Sequence, residues 1–186
     1  VLDANIPILI KNTMQPNDKV TKIFDVSEVS IKNPVRGITH INDIALLTLQ
    51  GSGMVGIPGF SKRLFETLAQ ERINVIFITQ ASSEHAICFG IDYKDADTAQ
   101  TVIDKTFEYE IALKKIEPIL VETELSIIAL IGDNMKNYQG ISGRMFSTLG
   151  KNNINVRAIA QGASERNISA VINESDVKKA INALHE

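Results

Sequence analysis

The stretch GFSKRLFETLAQERINVIFITQASSEHAICFGI, Gly59 to Ile91, aligns without a gap with GISGRMFSTLGKNNINVRAIAQGASERNISAVI, Gly140 to Ile172, at an offset of 81 residues. Extended outward to Ile44–Lys105 against Leu125–Glu186, the match holds 20 identities in 62 pairs, and these include Gly51/Gly132, Met54/Met135, Arg63/Arg144, Asn74/Asn155 and Gln80/Gln161. Solenoid repeats need three or more copies to bury a continuous core, so two copies point to a duplicated domain.

Each copy presents the same order of patterns. A short apolar run, Ile44–Gln50 or Leu125–Ile131, ends at a glycine and suits a buried strand. A loop leads to an amphipathic helix with Phe60, Leu64, Phe65 and Leu68, or Ile141, Met145, Phe146 and Leu149, at helical spacing. A β-branched second strand follows, Ile73–Gln80 or Ile154–Gln161, then a polar turn and an alternating third strand, Ile87, Phe89, Ile91 or Ile168, Ala170, Ile172. The last shared element is a helix that begins near Asp95 or Asp176, where a carboxylate suits the N-cap or first turn. Copy one adds a fourth strand over Ile116–Thr123, which completes β-α-β-β-α-β, the ferredoxin-like plan. Copy two lacks its own. The apolar run Ile6–Asn12 is the candidate to fill that edge, which nests the first domain within the second. The expected organisation is therefore residues 1–12 as a strand of the second domain, 13–43 as a connector, 44–123 as the first domain and 124–186 as the second. The fold class is α+β, with antiparallel sheets carrying helices on one face.

Composition narrows the function. Of 186 residues 44% are hydrophobic and 22% charged, a globular balance. No apolar run reaches the roughly 20 residues of a membrane helix. A net charge of −3 without a Lys/Arg cluster argues against nucleic acid as partner. The N-terminal segment lacks a basic leader and reads as a cut end rather than a signal peptide. The single cysteine, Cys88, fits a reducing compartment, and the cytoplasm is expected.

Several chemical motifs dissolve on inspection. Gly51-Ser-Gly53-Met-Val-Gly56 matches GxGxxG, but its duplicate Gly132-Asp-Asn-Met-Lys-Asn loses two of the three glycines, and the expected sheet is not doubly wound. Ser83, Glu84 and His85 are sequence neighbours, which is not how a hydrolytic triad assembles. His40, His85 and His185 lack metal-ligand spacing. No catalytic residues and no metal ligands are therefore assigned.

The phrases IPILIKNT, ITQASSEHAICF and GRMFSTLGKNNINVRAIAQGASERNISAVI resemble the regulatory region of aspartokinases, most of all the bifunctional aspartokinase–homoserine dehydrogenase branch. The resemblance implies two ACT domains that follow a kinase domain and sense an end-product amino acid. ATP and Mg belong to that kinase domain, so no cofactor is expected in this stretch. The implied partners are the amino-acid effector and the protein's own kinase domain; self-association is expected as well, because ferredoxin-like modules leave edge strands that invite pairing.

A free amino acid needs donors for its carboxylate, acceptors for its ammonium and a reader for its side chain. Turns Gly51–Gly59 and Gly132–Gly140 run into helices whose first N–H groups are unpaired and can meet a carboxylate. Gln80 and Gln161 close the second strands, and an amide that both donates and accepts suits a threonine hydroxyl; the resemblance points to the same pair. The candidate effector-binding set is Gly53, Met54, Gly59, Asn74, Val75, Ile76 and Gln80 in copy one, with Asn134, Gly140, Ile141, Asn155, Val156 and Gln161 in copy two. Asn74 and Gln80 stand about 20 Å apart along one strand. One small ligand could touch both kinds of residue only where second strands of two modules lie antiparallel. Lysine-sensitive aspartokinases carry an acidic residue where Ile76 stands, and Arg157 in copy two would repel a cation, so threonine is favoured over lysine. Arg157 equally suits a solvated surface. A module that mainly dimerises, and a free-standing enzyme on this fold, are the other readings.

Overall fold

The computed structural model describes residues 4, 6–23, 34–80, 85–132, 135, 138–162 and 166–185. A two-stranded ribbon pairs β1 (Ile8–Ile10) with β2 (Thr21–Ile23). Among the described residues the remainder is one curled antiparallel sheet of six strands carrying five α-helices. Its strands are β3 (Val35–Gln50), β4 (Val75–Gln80), β5 (Ala86–Asp92), β6 (Leu120–Gly132), β7 (Val156–Gln161) and β8 (Asn167–Asn173), in the order β4-β5-β3-β6-β8-β7. The helices are α1 (Phe60–Gln70), α2 (Ala96–Thr106), α3 (Glu108–Ala112), α4 (Ile141–Lys151) and α5 (Val177–His185).

The two long central strands build both modules at once. β3 bends at Asp43 and β6 at Glu124, both at positive φ and 81 residues apart, so the bends occupy equivalent places in the repeat. Beyond its bend β3 pairs with β5, Ile44 opposite Asp92 through Gln50 opposite Ala86, and serves as first strand of module 1. Before the bend, Val35–Ile41 pairs with Gly132–Ile127 and supplies the fourth strand of module 2. β6 does the reverse: Leu120–Glu122 is the fourth strand of module 1, and Leu125–Ile131 pairs with β8 as first strand of module 2. Each half-sheet thus has the ferredoxin-like order, and the first module is nested within the second.

Here the expected strand assignment needs correcting. Residues Ile6–Asn12 do not complete the second module; their strand pairs with Thr21–Ile23, and Val35–Ile41 from the expected connector takes the edge. The physical reason lies in continuity and fit. Val35–Ile41 is the direct extension of β3 and needs no loop closure to reach β6. The Pro34 carbonyl also packs so tightly on Gly132 that a Cβ there would lie 2.2 Å from it. In module 1 the matching Lys115 carbonyl would lie 2.4 Å from a Cβ on Gly51. The two repeated glycines mark where the incoming fourth strand crosses.

Side-chain alternation divides the core into three. On one sheet face Ala45, Leu47, Leu49, Ile87, Phe89 and Ile91 meet Leu64, Leu68 and Ile103 of α1 and α2. The equivalent face of module 2 carries Ile128, Leu130, Ile168 and Ile172 against Met145, Leu149 and Ala180. The concave face, where the sheet curls, is a shared cluster of Ile44, Leu46, Phe77, Leu125, Ile127, Ala158 and Val171. The second helix of module 1 starts where expected, with Asp95 at its N-cap position, but the Asp95 side chain makes no cap bond; Asp92, one turn earlier, accepts from the Lys94 amide at 3.1 Å.

Candidate functional site

In module 1 the loop after β3, the start of α1 and the end of β4 enclose a cavity of about 360 Å³ lined by Met54, Ile57, Pro58, Phe60, Ser61 and Gln80, with Gly56 and Ile87 behind. Its size falls at the small end of ligand sites, roughly 300–1,000 Å³. Gly59 caps α1 at φ 84, a left-handed conformation open to glycine. A glycine at this position has no side chain to accept from the first turn, so the N–H donors there are left for other acceptors. Gln80 brings an amide donor and acceptor, and Ser61 a hydroxyl, to a wall whose other side chains are apolar.

Module 2 repeats the placement and adds one bond. Gly140 caps α4 at φ 84, again without a side-chain cap. Ser142 in the first turn of α4 donates from Oγ to Gln161 Oε1 at 3.2 Å. Ser61 and Ser142 are equivalent in the repeat, as are Gln80 and Gln161, so the same two residue types flank the same place in both modules. In module 2 they satisfy one another; in module 1 they line open space.

The structure gathers part of the sequence-derived set. Met54 and Gln80 line the cavity and Gly59 adjoins it. Gly53 has a packing role: its amide donates to the Lys115 carbonyl at 2.8 Å, and a Cβ there would meet Lys115 Cβ at 2.6 Å. Asn74, Val75 and Ile76 lie at the far end of the strand. Val75 packs on the module 1 core, and Ile76 lines a groove on the concave face. Asn155 and Val156 repeat those positions in module 2, with the same exposure pattern. Ile141 packs on the module 2 core. Asn134 lies outside the described residues. Pro58, Phe60, Ser61 and Ile87 were absent from the set; the pairing of Ser61 with Ser142 in the self-match was the signal that could have found the serines.

The edge strands β4 and β7 approach within 8 Å between Cα atoms and share Phe77 and Ala158 in one cluster. The unbroken antiparallel order of the sheet makes them run oppositely. Arg157 on β7 lies 3.5 Å from the Glu122 carboxylate on β6, which ties a module 2 cation to the fourth strand of module 1. Among the described residues no group of three or more His, Cys, Asp or Glu could hold a metal ion, and no helix is long and apolar enough to cross a membrane.

Comparison with known proteins accounts for both halves. An ACT domain model matches residues 47–107 and again 128–186. The chain is 41% identical over 186 residues to the bifunctional aspartokinase/homoserine dehydrogenase of Haemophilus influenzae, covering all of this chain and 23% of that protein. A chloroplastic bifunctional aspartokinase/homoserine dehydrogenase of Arabidopsis thaliana is 36% identical over 189 residues, with 21% of it covered. The chain thus spans under a quarter of the length of these relatives. Among solved structures, the aspartate kinase of Clostridium acetobutylicum superposes with a TM-score of 0.85 at 22% identity, over 99% of this chain and 42% of that one. Aspartokinase III of E. coli, in complex with lysine and aspartate, superposes with a TM-score of 0.76 at 25% identity, over 99% and 39%. The chain belongs to the ACT domain family, as a tandem pair of the kind that aspartokinases carry.

Proposed function

We propose that this ACT pair is the regulatory portion of an aspartate kinase, sometimes fused to homoserine dehydrogenase as in its relatives, and that it binds an end-product amino acid, threonine, and relays feedback inhibition to the kinase domain. The pair has no active site of its own on this reading; ATP and Mg act in the kinase domain. The observation that carries the proposal is the recurrence of one glutamine against the first turn of the first helix in both modules, with a cavity between them in module 1. A threonine carboxylate would sit at the uncapped start of α1, and its hydroxyl would exchange donor and acceptor with the Gln80 amide. The described lining contains no carboxylate, so a lysine ammonium placed there would lose water without gaining a counter-charge. That favours threonine over lysine.

Titration calorimetry and thermal unfolding with threonine, lysine and methionine test this. Threonine at a hundredfold excess over its Kd is expected to stabilise the chain by about 2.7 kcal/mol. Gln80→Ala is expected to abolish that gain at the module 1 cavity, and Gln161→Ala to alter any second site. Stabilisation by lysine alone transfers the site to the lysine-sensing reading. No stabilisation by any of the three leaves a module that only assembles.

A further inference from the structure

The modules are copies, so a place filled in one and open in the other identifies a missing contact. In module 1 the cleft between α1, α2 and the fourth strand is filled by the turn after α2. Phe107 there is fully buried and stacks on Phe60 with ring centroids 4.7 Å apart. The Arg63 guanidinium covers the same ring at 4.6 Å, while its nitrogens donate to the Glu110 carboxylate and, at 3.1 Å, to the Thr106 carbonyl. Ring, cation and carboxylate form one plug.

The same cleft in module 2 is open. It holds about 450 Å³ between α4, α5 and the Val35–Ile38 edge, and its walls include Ile141, Arg144, Thr148 and Leu184. These are the repeat counterparts of Phe60, Arg63, Thr67 and Ile103. Ile103 is fully buried, whereas Leu184 is only half-buried. Arg144 is exposed and has neither a ring nor a carboxylate partner among the described residues. The wall therefore repeats the one that receives Phe107, with an aliphatic floor and a guanidinium at its rim, but without the plug.

Since Phe107 stands four residues past Ile103, its counterpart stands four past Leu184, which is two beyond Glu186. We infer that this groove is the seat of the polypeptide that continues α5 past Glu186 in the full-length protein. The segment presents a large apolar or aromatic side chain to Ile141 and Arg144, and an acceptor for the Arg144 guanidinium about one turn later. The inference rests on the chain being part of a longer polypeptide, as in relatives of which it spans 23% and 21%; it is independent of which amino acid the pair senses. A linker so anchored would transmit the packing of α4 and α5 to whatever follows.

Photo-crosslinking in the full-length protein tests the assignment. Arg144→p-benzoylphenylalanine is exposed enough to be tolerated, and Thr148→p-benzoylphenylalanine probes the groove floor. Expected are intramolecular adducts within about six residues past Glu186, a reach of just under two helical turns, with a yield independent of protein concentration. Adducts to another region, or to a second copy with concentration-dependent yield, overturn the inference. As a second measurement, Thr148→Trp fills the groove and is expected to speed amide exchange of the following segment by at least about tenfold while leaving the Phe107 turn protected. Unchanged exchange in that segment overturns it equally.

Discussion

Gly132→Ala is the sharpest test of the strand exchange between the modules. A Cβ at this position would lie 2.2 Å from the Pro34 carbonyl oxygen and 2.9 Å from Met135 Sδ. The thioether end of Met135 can swing aside, but the carbonyl belongs to backbone that pairs Val35 with Gly132 itself. Real Cβ contacts essentially never fall below 3.0 Å, so Pro34 and the start of the edge strand must retreat by most of an ångström. Such overpacking costs about 1–3 kcal/mol, and a rigid backbone contact belongs at the upper end. For a chain of this length about 2–4 °C of Tm accompany each kcal/mol, so a fall of roughly 4–12 °C is expected. Thermal and urea unfolding, followed by circular dichroism, read it. Gly143→Ala is the control: it lies within α4 with no atom within 4 Å of a Cβ, so alanine there should stabilise by about 0.5–1 kcal/mol through helix propensity. If Gly132→Ala unfolds within 0.5 kcal/mol (on the order of measurement error) of the parent, Pro34 does not cross Gly132 and the assignment of Val35–Ile41 to module 2 is wrong.

Three further outcomes follow from the packing. Phe107→Ala removes a fully buried ring and the surface beneath Arg63, and should cost about 3–5 kcal/mol in urea unfolding. Asn42→Ala takes from the buried Ser126 hydroxyl its acceptor at 3.0 Å, at a cost of about 1–3 kcal/mol, whereas Ser126→Ala in the same background should recover part of it in a double-mutant cycle. The Arg63 guanidinium, donating to Glu110, holds that carboxyl below the usual carboxylate range. Its stabilisation is therefore present above the unfolded pKa and lost as pH falls through the lower, folded one. Glu110→Gln should differ from the parent by up to about 1 kcal/mol at pH 6–7, with the gap closing below about pH 4, in unfolding measured as a function of pH.

The repeat made most of the fold legible because the elements it aligns are the ones with dense local signals: apolar alternation in the strands and a one-sided stripe in the first helix. The fourth strand of module 2 escaped for a physical reason. Shifting Lys115–Thr123 by 81 residues lands on Pro34–Asn42, yet across those nine pairs only Ile119 and Ile38 are identical. An edge strand buries one face and is held by backbone pairing, so it conserves register without side-chain identity. Ile6–Asn12 has the more strand-like local pattern, but pairing is decided by which backbone can cross Gly132. Of the candidate site, the cavity lining was legible at Gln80, Met54 and the glycine cap, where chain order alone places a strand end beside a helix start. It was not legible along the rest of the second strand, since a bulge at Ile76 sends Val75 to the helix side and Phe77 to the concave side. Strict alternation cannot anticipate that turn.

The two glutamines have different surroundings although both second strands carry this bulge. β7 has the same irregularity, at Arg157, and turns Ala158 into the shared cluster where β4 turns Phe77. Beneath them the volumes are exchanged: Phe77 lies over Gly90, with its Cβ 3.2 Å from where a Gly90 Cβ would be, while the equivalent pair in module 2 is Ala158 with Val171. A large residue from one copy and a small one from the other fill the centre, so the interior is asymmetric although the frame is two-fold. Gln80 stands three residues beyond Phe77 on the same strand, and Gln161 three beyond Ala158. The Gln161 side chain is bonded to Ser142, whereas Gln80 faces open space beside Ser61. On the proposed reading, a ligand that draws Gln80 toward α1 acts on the strand that carries the bulky member of the shared cluster. Where its binding shifts the packing of Phe77 on Ala158, linkage requires that a change in that packing shift the ligand's affinity by the same factor.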